Sequence, residues 1–293
     1  MASLLDMRRR IKSVKNTQQI TKAMKMVAAA KLKRAQDRVT AARPYAVKMG
    51  EVLGSLSSKV AGEFSHPLLD QRGDESYLIV LVTADKGLCG GFNANLIKTT
   101  AKFLAANTDK NTAMVPVGRK GRDYFRSRDI GFTKEYVGMT GQGQVKLSDA
   151  REISDHIVGK FIEDETIDKV FLVFTEFRTV ISQYVRVEQL LPIAKISGQD
   201  EAENNGTDAE YIYEQPPAQI FGKLLPKQVE TQVYRAMIES VASEQGARMT
   251  AMDSASKNAG ELIDTLTLNM NRIRQADITR EIIEVVSGAA AAQ

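Results

Sequence analysis

Residues 85–93 read DKGLCGGFN, a glycine-rich turn directly behind the apolar run of residues 77–83, YLIVLVT. A turn of this kind, between a buried strand and a helix, is where backbone N–H groups can cradle a phosphate. The order of residues matches neither GxGxxG nor GxxxxGK[ST], so the nest and the lysine those motifs supply are not assembled. The expected role is a tight strand-to-helix connection. Cys89 lies in the turn, but no sequence cue pairs it with His66 or His156, so it reads as a structural thiol. His156, beside Asp155, falls on a charged helical face and reads as solvated. No CxxC, HExxH or EF-hand spacing occurs, so neither a metal nor a cofactor is expected.

The elements around this turn set it on an α/β domain. Residues 77–83 form a continuous apolar run of the kind a buried parallel strand shows. A helix is expected over 95–106, a strand over 113–117, a helix over 119–126 and another over 150–162. Strands follow at 170–175 and, with period two, at 184–190. This alternation predicts a mainly parallel sheet covered by helices. Residues 198–217 carry acids but no bases and end in Pro216-Pro217, which suggests a mobile surface loop.

The flanks differ in kind. Residues 1–43 contain no proline or glycine, and residues 227–287 contain no proline and only Gly246 and Gly260. As helices they span roughly 65 Å and roughly 90 Å at 1.5 Å per residue, too long for one globule. In the first, Leu4, Met7, Ile11 and Val14 step by three and four. The stripe resumes at Ile20, Met24 and Val27, then Ala28, Leu32, Ala35, Val39 and Ala42, which implies a phase slip near residues 16–19. Pro44 is expected to kink or interrupt the helix before Val52, Leu53 and Leu56. In the last segment Met252, Ala255, Ala259, Leu262, Leu266, Ile273 and Ala276 fall on heptad positions, with Asn269 as a polar member. An antiparallel coiled coil of the two ends follows, organised as a helix over 1–60, an α/β domain over 70–200 and a helix over 218–293.

The second helix outruns the first. Its last turns, with Ile278, Ile282, Ile283, Val285 and Val286, are strongly apolar and call for something that encloses them. Charge is divided as sharply. Residues 1–50 carry thirteen basic and two acidic side chains, a net +11, which leaves −7 for the rest of a chain of net +4. A basic helix predicts an anionic partner. One cysteine in 293 residues precludes an internal disulfide, and no run of 18 apolar residues is present to span a membrane. On the residues alone three readings stand: a mechanical or scaffolding part, an α/β nucleotide-binding enzyme with helical arms, and a basic nucleic-acid-binding scaffold. Nucleic-acid binding is disfavoured because the basic residues surround an apolar stripe whose partner helix lies in the same chain.

Three blocks together resemble the gamma subunit family of F-type ATP synthases. Residues 8–34 (RRRIKSVKNTQQITKAMKMVAAAKLKR) are similar to that family's N-terminal helix, 83–93 (TADKGLCGGFN) to its first strand-to-helix turn, and 278–291 (ITREIIEVVSGAAA) to its C-terminal signature. The resemblance begins within the first ten residues and implies a bacterial form without a transit peptide. It also implies no thiol switch, since the chloroplast form uses a cysteine pair and Cys89 stands alone. Further, it implies a non-catalytic rotor: a coiled coil inside a ring of three alpha and three beta subunits, and an α/β domain joined to the epsilon subunit and standing on the membrane c-ring. The expected location is the cytoplasmic face of the bacterial plasma membrane, with proton flow turning the ring. By position within the matching blocks, Met24, Lys25, Arg248, Gln275, Thr279 and Glu281 are the expected contacts with the beta-subunit region, joined by the apolar Ile282 and Val286.

Overall fold

The computed structural model describes residues 4–60, 65–128, 130–141, 145–180, 182–193 and 213–291. Helix α1 (Leu4–Val60) is followed by strand β1 (Ser76–Val82), α2 (Phe92–Ala106), β2 (Asn111–Val117), α3 (Arg119–Arg126) and β3 (Gly131–Phe132). Then come α4 (Leu147–Glu163), β4 (Lys169–Phe177), β5 (Gln183–Leu191) and the long α5 (Pro217–Ala291). The fold is an antiparallel coiled coil of the terminal helices with an inserted Rossmann-like α/β domain. The chain divides into two compact units, residues 1–29 with 248–293, and residues 30–247.

In the unit of residues 30–247 the sheet runs β3-β2-β1-β4-β5. β1 pairs in parallel with β2 and with β4, whereas β5 is antiparallel to β4. β1 is central because it has no polar side to turn outward: residues 77–82 are all buried. Ile79, Leu81, Met114 and Val173 from three strands pack with Phe92, Leu96 and Phe125 from α2 and α3. The two-residue β3 is too short to carry a periodic signal, and the sequence pattern missed it.

The stretch of α5 from Ala236 to Gly246 is buried on all sides, as a helix enclosed by a domain must be. Its small polar residues meet the strand backbone directly. Ser240 Oγ accepts from Thr175 N at 3.2 Å, and Ser243 Oγ donates to Thr175 O at 3.3 Å. On α1, Leu32, Ala35, Val39, Met49, Leu53 and Leu56 form the buried face of this unit. Pro44 does not break the helix: α1 is continuous from Leu4 to Val60. Pro44 and Thr40, whose carbonyl loses its i+4 donor, are both exposed, so water can take the freed acceptor. Pro226 likewise sits inside α5.

In the unit of residues 1–29 and 248–293 the helices are antiparallel. Lys25 Nζ lies 2.6 Å from Asp253 Oδ1, and Gln18 Nε2 donates to Ser256 O at 3.3 Å. The seam on α1 runs Met7, Ile11, Val14, Gln18, Thr21, Lys25, Ala28, all buried or half-buried at alternating steps of four and three. No phase slip occurs near residues 16–19. Polar residues hold three seam positions, while Ile20 and Val27 are more than half exposed. On α5 the seam is Met252, Ser256, Ala259, Ile263, Leu266, Met270 and Ile273. Met252, Ala259, Leu266 and Ile273 were expected there, but Leu262 is 47 % exposed, and Asn269 and Ala276 also face out. Ala255 remains half-buried beside Ser256. Steps of three and four can start in either order from Met252, and the polar Ser256 disguised the true one. The suggested loop at 198–217 lies outside the described residues up to 212. From there Tyr213 hydrogen-bonds Ser55 Oγ at 3.2 Å, and Lys59 sits over its ring.

Candidate functional site

The DKGLCGGFN turn sits at the C-terminal end of β1, where an open α/β sheet binds ligands. Its polar groups are spent internally. Asp85 is buried, and its Oδ1 accepts from Arg119 N at 3.1 Å and Gly138 N at 3.0 Å, while Oδ2 accepts from the Thr140 hydroxyl at 3.0 Å. Thr83 Oγ1 accepts from Gly121 N at 2.9 Å, and Asn93 Oδ1 from Ala84 N at 3.0 Å. The buried carboxylate of Asp85 stands at this turn, where an anion would need positive potential. Cys89 is buried in the core under β1, with Asn93 Nδ2 at 3.1 Å from its sulfur. The expectation for the isolated chain is no measurable ATP affinity; equilibrium dialysis with Mg-ATP that finds a micromolar site would refute it.

His156 is not the solvated group the sequence suggested. It is half-buried with Thr133 Oγ1 at 3.4 Å, and burial, aided by Lys134 and Lys160, lowers its pKa. Burial likewise lowers that of His66, whose Nδ1 accepts from Leu68 N at 3.2 Å. Among the described residues no group of His, Cys, Asp and Glu is arranged to hold a metal ion, and no helix is long and apolar enough to cross a membrane.

The remaining candidates lie in the unit of residues 1–29 and 248–293. Partner numbers fall along α1 as they rise along α5: Lys25 faces Asp253, and Gln18 faces Ser256 and Gly260. Continued at that register, nothing on α1 remains to face α5 from Ile278 onward. Residues 278–288 are all exposed, Ile278, Ile282, Ile283, Val285 and Val286 by 48–71 %. At about 100° per residue these five side chains share an arc of roughly 160°. Gln275 and Thr279 fall within the same arc, and Thr279 Oγ1 bonds back to Gln275 O at 2.9 Å. Glu281 does not join them. It lies on the polar arc with Asp277, Arg280 and Glu284, where Arg280 reaches Asp277 at 3.4 Å and Glu284 at 3.8 Å.

Lys25 is held inside the chain by Asp253, whose pKa that contact lowers, with Lys257 adding to the effect. A lowered carboxylate pKa means stabilisation that is full above the unfolded value of about 4 and lost as pH falls through the folded one. Met24 is half-exposed beside Lys25, and Arg248 is half-exposed on α5, five residues before Asp253. Sequence reasoning missed the neighbours of Met24. Assigning Ile20 and Val27 to the seam concealed that they are exposed at 59 % and 56 %. They stand seven residues apart, with Met24 between them, and make an outward apolar face on α1.

Two helix faces that stay apolar and exposed among the described residues mark a chain that works inside an assembly. The family profile described as ATP synthase matches residues 3–292. The chain is 51 % identical to the ATP synthase gamma chain of Solibacter usitatus over the full length of both, and 50 % identical to that of Desulforamulus reducens over 99 % of each. It belongs to the ATP synthase gamma-chain family. A solved central stalk of Tetrahymena thermophila mitochondrial ATP synthase, 29 % identical, superposes with a TM-score of 0.62 over 81 % of this chain and 99 % of that one. A Euglena gracilis mitochondrial ATP synthase chain reaches 0.68 over 98 % of this chain and 94 % of its own, at 17 % identity, and shares the fold. Membership in the gamma family makes the chain a non-catalytic central-stalk rotor subunit, part of a membrane-associated complex, and disfavours the readings as a nucleotide-binding enzyme or nucleic-acid scaffold.

Proposed function

We propose that the chain couples proton-driven rotation of a membrane c-ring to conformational change at the catalytic sites of a ring of three alpha and three beta subunits. In this reading the unit of residues 1–29 and 248–293 turns inside that ring. The α/β unit joins the epsilon subunit and the c-ring on the cytoplasmic face of the bacterial plasma membrane. The observation that carries the proposal is the exposed apolar arc of Ile278, Ile282, Ile283, Val285 and Val286. In water such an arc is a liability, whereas in a sleeve each large aliphatic side chain buried is worth roughly 1.5–3 kcal/mol.

The rest of the surface supports the same reading. The seven basic residues of positions 1–29 suit an acidic sleeve. An asymmetric shaft touches three otherwise equivalent sites differently, and differential contact is what shifts a conformational equilibrium. Met24, Lys25, Arg248, Gln275, Thr279, Ile282 and Val286 are the proposed contacts with the beta-subunit region, together with Glu281 at the polar border. Ile20 and Val27 extend the apolar part of that contact.

The test is the whole complex, solubilised from membranes with the chain in place. With Lys25→Glu and Arg248→Glu combined, complex yield or coupling should fall severalfold, while thermal unfolding of the purified chain keeps its α/β transition. Lys25 pairs with a partly exposed carboxylate outside the α/β unit, so its replacement should leave that unit folded. Unchanged assembly, ATP hydrolysis and proton pumping would rule these contacts out.

A further inference from the structure

The enclosed stretch of α5 carries an acid that the fold satisfies only by half. Glu239 is 6 % exposed and sits between the buried Ile238 and Ser240. A carboxylate taken out of water needs hydrogen bonds on both of its oxygens. Here Oε1 accepts from Arg235 Nε at 3.2 Å, whereas Oε2 is buried without a hydrogen-bond partner. The strand on which this stretch packs repeats the deficit. Thr175 on β4 holds Ser240 and Ser243 through its backbone, yet its own Oγ1 is buried and unpartnered. Burial of this kind favours the neutral acid over the anion.

The one cation at hand is shared. Arg235 also donates to Gln232 Oε1 at 3.2 Å and to Glu188 Oε1 on β5 at 3.5 Å, and it lies over the Phe174 ring at 5.7 Å. From β4, Glu176 adds a like charge, itself bridged by Arg186 at 2.8 Å and Arg178 at 3.5 Å. Glu239 also borders a cleft of about 850 Å³ between α1, α4 and α5, which gives its proton a way to water. Arg43 and Tyr45 of α1, Arg151 of α4, and Lys227, Glu230 and Tyr234 of α5 line that cleft. Among the described residues only Arg235 forms an ion pair with Glu239. Burial raises the pKa of Glu239, with Glu176 adding to it, against the pull of Arg235 and of the Phe177 backbone.

We propose that Glu239 is a proton-controlled latch between α5 and the sheet: as the neutral acid it lies stably against β4, and once it gives up its proton to the cleft the contact loosens. The sign follows from linkage. A carboxyl whose folded-state pKa is raised binds its proton more tightly in the folded chain than in the unfolded one. Its stabilisation is therefore full below the ordinary value of about 4.5 and is lost as pH rises through the folded one. Within that window one proton changes the folding equilibrium by up to tenfold per pH unit. The buried His66 and His156 act in the opposite sense, since burial lowers their pKa and acid must force a proton on them. The latch thus ties the hold on α5 to the pH around the chain, and it stands independently of the central-stalk reading.

The experiment compares the purified full chain with Glu239→Gln, which is isosteric with the neutral acid. Urea unfolding and hydrogen exchange of the amides of residues 236–246 are followed from about pH 5 to about pH 8, and the ratio of the two proteins cancels every other titrating group. The expected result is that the wild-type folding equilibrium falls at least threefold relative to Glu239→Gln as pH rises, with protection of those amides falling alongside. Infrared titration should show a protonated carboxyl C=O stretch that outlasts the ordinary glutamates in the wild type and is missing from Glu239→Gln. Glu188→Gln leaves Arg235 to Glu239 alone, so it should move the wild-type loss to higher stability at high pH and the C=O stretch to lower pH. A ratio independent of pH, or a stretch that vanishes with the ordinary glutamates, would overturn the latch. Should Glu239→Gln fail to fold, Glu188→Gln decides, and a C=O stretch that it leaves unmoved would overturn the latch equally.

Discussion

Loss of residues 275–293 is expected to collapse coupled ATP synthesis by tenfold or more, with complex yield falling alongside. The truncation removes all five aliphatic side chains of the exposed arc together with Gln275 and Thr279. Even if a sleeve recovers only a fraction of the roughly 1.5–3 kcal/mol available per buried aliphatic, several kcal/mol of assembly free energy is lost, and each 1.4 kcal/mol is a factor of ten. Loss of residues 288–293 alone should be mild, because every large aliphatic of the arc precedes Gly288. From Ile278 onward the truncated residues have no α1 partner at the register of the described residues, so the coiled coil itself should stay folded. Lysine at Ile282 or Val286 should impair assembly more than lysine within residues 198–212. ATP synthesis in inverted vesicles and the amount of intact complex read the series. A normal complex without residues 275–293 would remove the apolar arc from the mechanism.

The second large effect is internal. Gly118→Ala is expected to destabilise the α/β unit by at least about 3 kcal/mol, with a drop of several degrees or more in its thermal midpoint. Gly118 has φ +101°, and an added Cβ would stand 2.1 Å from Thr83 O. Relief requires the backbone to move, which disturbs the Gly118 N to Tyr136 O bond at 2.7 Å and the Thr83 hydroxyl that holds Gly121 N. The same contacts position Asp85 and the turn after β1. Gly159→Ala is the counterpart, since that helical glycine has nothing within 4 Å of the added carbon and should gain about 0.5–1 kcal/mol. Urea or thermal denaturation of both variants checks the pair; an unperturbed Gly118→Ala protein would contradict the geometry.

What the sequence could reveal depended on how each element encodes its own burial. The apolar run of residues 77–83 has one sensible place, the middle of a sheet, and it lies there as β1. The long helices were legible because they lack breakers, and Pro44 misled only because its cost in a helix is about 3 kcal/mol, a penalty outweighed by the buried residues Val39, Met49 and Leu53 on either side. The coiled-coil seam was harder. Hydrophobicity marks a seam only where the seam is hydrophobic, and Gln18, Thr21 and Lys25 occupy three consecutive positions of it. Apolar Ile20 and Val27 drew the stripe to the wrong face, because an exposed apolar residue looks the same in one sequence as a buried one. The projecting arc of α5 was legible because no intrachain partner was long enough to cover it. The role of Asp85 was not, since its donors, Arg119, Gly138 and Thr140, are more than thirty positions away along the chain.

Direct observation of rotation tests the central claim. Cys89 is buried and is the chain's one cysteine, so a cysteine introduced at the exposed Glu165 can carry a bead without a competing label. With the ring of the purified complex fixed to a surface and ATP supplied, the bead should turn continuously in one direction and stop when ATP is removed. A bead that stays fixed relative to the ring while ATP is hydrolysed at the normal rate would contradict the account.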